Sequence, residues 1–204
     1  MAIARRPSSL RTARSRRFWP SSGISRTGRA GENHPRRPGR DLSPLSDTQW
    51  AFLPISGAGA AIDGGRFNRP GVEALYLSRA PRTALDEYKQ GASIIPPATL
   101  AAYKITLAEV ADLSQGFDPN VWDDIWQGWD CAWRQIARID RKIPPSWKLA
   151  DLVITAGLRG ILFPSLRHAG GTNLAIFSAN LVEEDRVAVH DPDHRLPHDQ
   201  SSWS

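Results

Sequence analysis

The chain has 204 residues, 41% of them hydrophobic and 23% charged, the balance of an ordinary globular protein of one domain or slightly more. No run approaches the ~18 apolar residues a membrane span needs, and a single cysteine, Cys131, excludes both a disulfide framework and a cysteine-based zinc site. The net charge of +5 points to nucleic acid until it is split by position. Residues 1–40 hold eleven Arg against one acid, Glu32, a net of +10, while the remaining 164 residues carry 15 basic and 20 acidic groups, a net of −5. The globule is mildly acidic, so neither direct nucleic-acid binding nor membrane association is expected of it.

Residues 1–47 are rich in Arg, Ser, Pro and Gly, with no hydrophobic period, and read as a disordered tail. An Arg- and Ser-rich, acid-poor start is also what a transit peptide, an anion-binding arm, or a mis-assigned start in a shifted reading frame would look like. Arg16-Arg17 is followed by no apolar stretch, so twin-arginine export is rejected, and a cytoplasmic setting is expected.

Residues 48–204 are read as one globule. Trp50–Ile55 is a short apolar strand, and Gly57–Ala61 with Asp63-Gly-Gly65 is a flexible loop. Asn68-Arg-Pro-Gly71 is a turn, and Ala74–Ser78 is a strand. Pro81 suits a first helical position, so a helix runs from Arg82 to Gln90 and stops at Gly91. Leu100–Leu107 alternates as a strand.

Trp122, Trp126, Trp129 and Trp133 recur at i, i+4, i+7 and i+11, which predicts a helix over 120–138. That stripe is either a partner-docking face or, as favoured here, the core-facing side. Ser146 caps a helix from Trp147 to Ala156, with Gly157 as its stop. Gly160–Phe163 and Asn173–Phe177 are strands joined by the loop 164–172, and Arg186–His190 is a last strand. Strands outnumber helices and connections are short. The fold class expected is α+β, a mixed and mostly antiparallel sheet with packed helices.

P-loop, HExxH, GxSxG and GxGxxG patterns do not occur. His190, His194 and His198 would make a metal-binding face on a helix, but Pro192 and Pro197 break any such helix, and no metal is expected. More specific is GGRFNRPGVEALYLSRAPRTALDEY, residues 64–88. It places Arg66 in a Gly-bounded loop, Tyr76 on the next strand and Glu87 on the next helix. Later, GILFPSLRHAGGTNLAIF sets Ser165 after a strand and Asn173 behind a Gly-Gly-Thr turn.

In this order the motifs resemble the RES domain family, over about residues 50–203. The resemblance also takes in the PISGAGAA segment, the PPSW before a helix and the C-terminal DPDHRLPHDQSSW. It implies an ADP-ribosyltransferase-like fold, with NAD as substrate and no metal. It further implies a toxin neutralised by an Xre-type helix-turn-helix antitoxin, and hydrolysis or phosphorolysis of NAD. Transfer of ADP-ribose to a protein is the alternative, as is a weakened binding-only relative. By the same resemblance the catalytic residues are Arg66, Glu87 and Ser165, and the NAD-binding residues are Arg66, Tyr76 and Asn173.

The residue types suit that chemistry. Cleavage of the nicotinamide–ribose bond builds positive charge at C1′, which a carboxylate such as Glu87 stabilises. A guanidinium such as Arg66 binds pyrophosphate or ribose. Tyr76 offers a flat face to the nicotinamide ring, and the Ser165 hydroxyl can position a ribose or amide group. Each residue also has a purely structural reading: Glu87 as a surface partner of Arg82 or Lys89, Arg66 as a solvated charge, Tyr76 as core, and Ser165 as a loop hydroxyl. One departure stands out. Family members start with a strand bearing an aromatic–Arg pair, whereas residues 41–47 here read DLSPLSD, with Pro44 near the arginine's place and Arg40 the nearest basic group. Two expectations follow: either the true start is lost to a frameshift, leaving a damaged toxin with an incomplete first strand, or the tail is genuine and the active site lacks one positive group.

Overall fold

The computed structural model describes residues 45–47, 54–89, 98–194 and 196. The expected disordered tail and most of the Trp50–Ile55 strand lie outside the described residues, as does the helix stop at Gly91. In chain order the elements are β1 (Leu45–Asp47), α1 (Ala58–Asp63), β2 (Ala74–Ser78), α2 (Pro81–Lys89), β3 (Ala98–Leu100), β4 (Ala102–Thr106), β5 (Ala111–Asp112), a 3₁₀ segment (Asp124–Asp130), a π turn (Gln135–Ile139), α3 (Pro145–Thr155), β6 (Gly160–Pro164), β7 (Thr172–Phe177), a 3₁₀ turn (Ser178–Asn180) and β8 (Arg186–His190). β1 lies on the N-terminal side of the boundary expected at residue 48.

The central sheet has the order β2-β7-β6-β5, antiparallel except for the parallel β5–β6 pair. β1 and β3 pair antiparallel, as do β4 and β8. The α+β, mostly antiparallel fold class is therefore what the chain adopts. The period-two pattern of strands sorts side chains to two faces. Ala74, Ile161, Phe163, Ala175 and Phe177 pack with Leu149 and Val153 of α3 and with Trp122, Trp126 and Trp129. Leu75, Leu77, Leu162, Leu174 and Ile176 pack on the opposite face with Tyr103 and Ile105 of the β4–β8 ribbon. The sheet thus lies between a helical layer and a two-stranded layer. Among the described residues, no helix is long and apolar enough to cross a membrane.

Three local expectations are corrected. Gly57–Ala61, expected as a loop, leads into α1. Ala58, Ala60 and Ala61 favour helix, and the Ala60 carbonyl is taken by the Gly64 amide (2.9 Å) and the Asn68 amide group (2.8 Å). The helix expected over 120–138 is broken into the 3₁₀ segment and the π turn, with Cys131 extended between them (ψ 155°). Arg66 is the physical reason. Its Nη1 occupies the carbonyls of Trp129 (3.3 Å) and Cys131 (3.0 Å), which a continuous α-helix would give to the amides of Trp133 and Gln135. All four Trp are nevertheless buried, as the core reading of the stripe requires.

Ser146, expected as a cap, lies inside the first turn of α3, because Pro145 occupies the first helical position and Pro144 precedes it in extended conformation. Its buried hydroxyl instead accepts the Cys131 thiol at 3.4 Å. Gly157 ends α3 with φ +75°, the left-handed stop that was expected.

Candidate active site

Strand register builds one wall of the site. Pairing of β2 with β7 sets Tyr76 opposite Ala175 and Ser78 opposite Asn173, and pairing of β6 with β7 sets Phe163 opposite Asn173. Tyr76, Ser78, Phe163 and Asn173 therefore share the sheet face that also carries Ala74 and Phe177, near one end of the strands. Ser78 Oγ donates to Asn173 Oδ1 at 2.7 Å, and Asn173 Nδ2 donates to Glu87 Oε1 at 2.7 Å. Ser165, at the end of β6, donates from Oγ to the same Oε1 at 2.7 Å. Both bonds fall on one carboxylate oxygen. Oε2 has no hydrogen-bond partner among the described residues, and Glu87 lines a cleft of about 340 Å³.

The loop bearing Arg66 is held from three sides. The Tyr76 hydroxyl donates to Asn68 Oδ1 (2.9 Å) and accepts the Phe67 amide (2.8 Å). Asn68, buried, gives its amide hydrogens to the Ala60 and Val72 carbonyls, both at 2.8 Å. Trp147 of α3 donates its indole N–H to the Gly65 carbonyl at 2.8 Å. Glycine at 65 is required by close approach: a Cβ there would lie 2.6 Å from both Asn68 Oδ1 and the Tyr76 hydroxyl. Arg66 then enters the cleft with Nη1 anchored on the Trp129 and Cys131 carbonyls.

The same cleft is lined by Gly64, Tyr88, Trp133, Arg134, Leu166 and Arg167. Arg134 stacks on the Trp133 ring, its guanidinium carbon 4.7 Å from the ring centroid. Burial lowers the pKa of Arg66, opposed by Cys131 and Glu87. Arg134 is lowered by burial and by Arg138, Arg167 and Arg66, and raised by Glu87. All remain charged at any ordinary pH. Burial pushes the Tyr76 hydroxyl well up, so it stays a neutral donor. Several guanidinium groups thus surround one carboxylate, and the cleft is net cationic. It can hold an anion beside a carboxylate that keeps one oxygen free.

The structure brings Arg66, Tyr76, Glu87 and Asn173 together as lining residues and puts Ser165 against Glu87, behind the lining. Glu87 is not the surface partner of Arg82; Asp86 is, at 3.4 Å. Sequence reading missed Arg134, Trp133 and Arg167 as lining groups, and Asn68 and Ser78 as their supports. Arg167 is two residues from Ser165, a signal within reach. Ser78 could be found only through the strand register. Among the described residues, no cluster of His, Cys, Asp or Glu could hold a metal ion.

No protein of curated function matches the chain significantly. Among solved structures, a chain in the crystal structure of the M. tuberculosis MbcT-MbcA toxin-antitoxin complex is 20% identical, with a TM-score of 0.51 over 74% of this chain and 81% of that one. The two share a fold. Residues 42–199, which include all five sequence-predicted site residues, match the family described as the RES domain. Given that match over most of its length, the chain belongs to the RES domain family.

Proposed function

We propose that this protein is the toxin of a toxin–antitoxin module, that it binds NAD in the cleft, and that it cleaves the nicotinamide–ribose bond. Membership in the RES domain family supports the substrate class, and the fold shared with a toxin–antitoxin complex supports the module. The partner is an antitoxin of the Xre helix-turn-helix type, and the setting is the cytoplasm. The observation that carries the chemistry is Glu87. Ser165 and Asn173 hold Oε1, while Oε2 has no hydrogen-bond partner among the described residues and Glu87 lines the cleft.

As the C1′–N bond of NAD breaks, its electron pair passes to the nicotinamide nitrogen and positive charge grows on C1′ and the ring oxygen. Oε2 of Glu87 accepts a ribose hydroxyl and lies beside that charge, stabilising it. Tyr76 supplies a flat face for the nicotinamide ring. Arg66 orients the ribose end of the substrate from its anchored position. Water then adds to C1′ and releases a proton, giving ADP-ribose and nicotinamide; inorganic phosphate adding instead gives the 1-phosphate of ADP-ribose.

The test is NAD loss on incubation with the purified chain, with and without phosphate. Glu87→Ala is expected to lower the rate by at least about 100-fold with cooperative unfolding retained. Faster loss with phosphate identifies phosphorolysis. Label from NAD appearing on protein identifies ADP-ribosyl transfer on the same site. No NAD loss from the folded wild-type chain would overturn the proposal and leave a binding-only relative.

A further inference from the structure

We propose that Arg134 and Arg167 are a paired clamp for the pyrophosphate of a dinucleotide, and that they set the preference of this cleft for dinucleotides over mononucleotides and nucleosides. The inference rests on the NAD reading of the same cleft and names the residues that would recognise the substrate's charged centre.

The arginines in and beside the cleft differ in how they are committed. Arg66 spends Nη1 on two backbone carbonyls. Arg138, which shares the Trp133 ring with Arg134 at 5.8 Å from its centroid, is paired with Asp63 at 3.8 Å. Arg134 and Arg167 line the cleft and have no acidic partner within ion-pair distance among the described residues. They are close enough to each other, and to Arg66, for mutual repulsion. Three guanidinium groups near a single carboxylate leave positive charge uncompensated, and a dianion between Arg134 and Arg167 relieves their repulsion. A pyrophosphate diester carries two negative charges, and guanidinium groups match phosphate oxygens with paired N–H donors.

Arg134 is held through its side chain and Arg167 through its backbone. Arg134 is stacked on the buried Trp133 ring. The Arg167 backbone amide donates to Ser165 Oγ at 3.1 Å, the same hydroxyl that donates to Glu87. The backbone that carries Arg167 and the Glu87 carboxylate therefore share one anchor, the Ser165 hydroxyl. Both guanidinium groups remain exposed at the rim, so their contribution is screened by salt.

The experiment compares wild type, Arg134→Ala, Arg167→Ala and the double variant on NAD, nicotinamide mononucleotide and nicotinamide riboside, with folding checked by thermal melting. For NAD, KM is expected to rise about tenfold in each single variant and more in the double, with kcat changed by less than about threefold. For the riboside, which has no phosphate, KM stays the same across all four proteins. Raising ionic strength raises the wild-type KM for NAD and flattens in the double variant. An unchanged KM for NAD in the double variant, or an equal rise for the riboside, would overturn the clamp while leaving the NAD activity standing. If wild type consumes no NAD, calorimetric binding of ADP-ribose decides. Binding weakened about tenfold or more in the double variant supports the clamp, and equal or undetectable binding to both proteins overturns it.

Discussion

Ser165 Oγ donates a 2.7 Å hydrogen bond to Glu87 Oε1, joining residues 78 positions apart in the chain. The same oxygen of Ser165 accepts the backbone amides of Arg167 (3.1 Å) and His168 (2.9 Å), so one hydroxyl organises the loop after β6 and orients the carboxylate on α2. In the chemistry proposed above, Ser165 acts through Glu87, as a positioning residue. Ser165→Ala strands two amides and leaves Oε1 with Asn173 alone. The expected outcome is a kcat for NAD loss reduced about 10- to 100-fold, KM nearly unchanged, and a stability loss of about 1–3 kcal/mol by urea denaturation. Ser165→Thr, which keeps the hydroxyl, restores most of the kcat; a failure of that rescue would count against the role.

Gly65→Ala tests the loop that presents Arg66. The added Cβ meets Asn68 Oδ1 and the Tyr76 hydroxyl at 2.6 Å, both of them fixed by other bonds. The loop must move, carrying Arg66 off the Trp129 and Cys131 carbonyls. A loss of about 1–3 kcal/mol in stability and a larger relative loss of NAD turnover are expected. Full turnover in a folded Gly65→Ala protein would show that the loop geometry is dispensable.

Trp126 is fully buried beside Trp122, their ring centroids 4.4 Å apart, and its indole N–H has no partner among the described residues. Trp126→Ala is expected to cost about 3–5 kcal/mol in chemical denaturation. Trp126→Phe removes the unpaired donor along with some area, so it costs clearly less, about 1 kcal/mol. Equal losses for the two substitutions would mean that the aromatic packing is not what matters.

His168 Nδ1 and Asp86 Oδ2 lie 2.7 Å apart, a second tie between the loop after β6 and α2. The hydrogen bond from His168 holds the Asp86 carboxyl below the usual carboxylate range, with help from Arg82. A depressed carboxyl stabilises the fold above its unfolded pKa, and that contribution disappears as pH falls through the folded value. Asp86→Asn is therefore expected to lower Tm modestly near neutrality and to converge on wild type below the carboxylate range, which flattens the acid limb of a plot of Tm against pH. An acid limb identical to wild type would show that the tie carries no pH-dependent stability.

Strands β2, β4, β6, β7 and β8, the helix after Pro81 and the α+β class were legible because short apolar or alternating runs, a proline at the first helical position and a left-handed glycine at 157 act locally, whereas β1 and β5 are too short to carry a pattern. The resemblance picked out Arg66, Tyr76, Glu87, Ser165 and Asn173, because their motifs keep their order along the chain. Three things were decided only by tertiary contact. The tryptophan stripe reads as one helix until Arg66, 63 and 65 positions away from the carbonyls it takes, breaks the helical hydrogen bonds. The Ser78–Asn173–Glu87 relay depends on strand register, which hydrophobic pattern and neighbouring strands set together. The charge of the cleft depends on which arginines fold into it. From residue 41 on, the chain is net acidic in sequence, yet Arg66, Arg134 and Arg167 converge on one carboxylate, because composition counts charges and only folding places them.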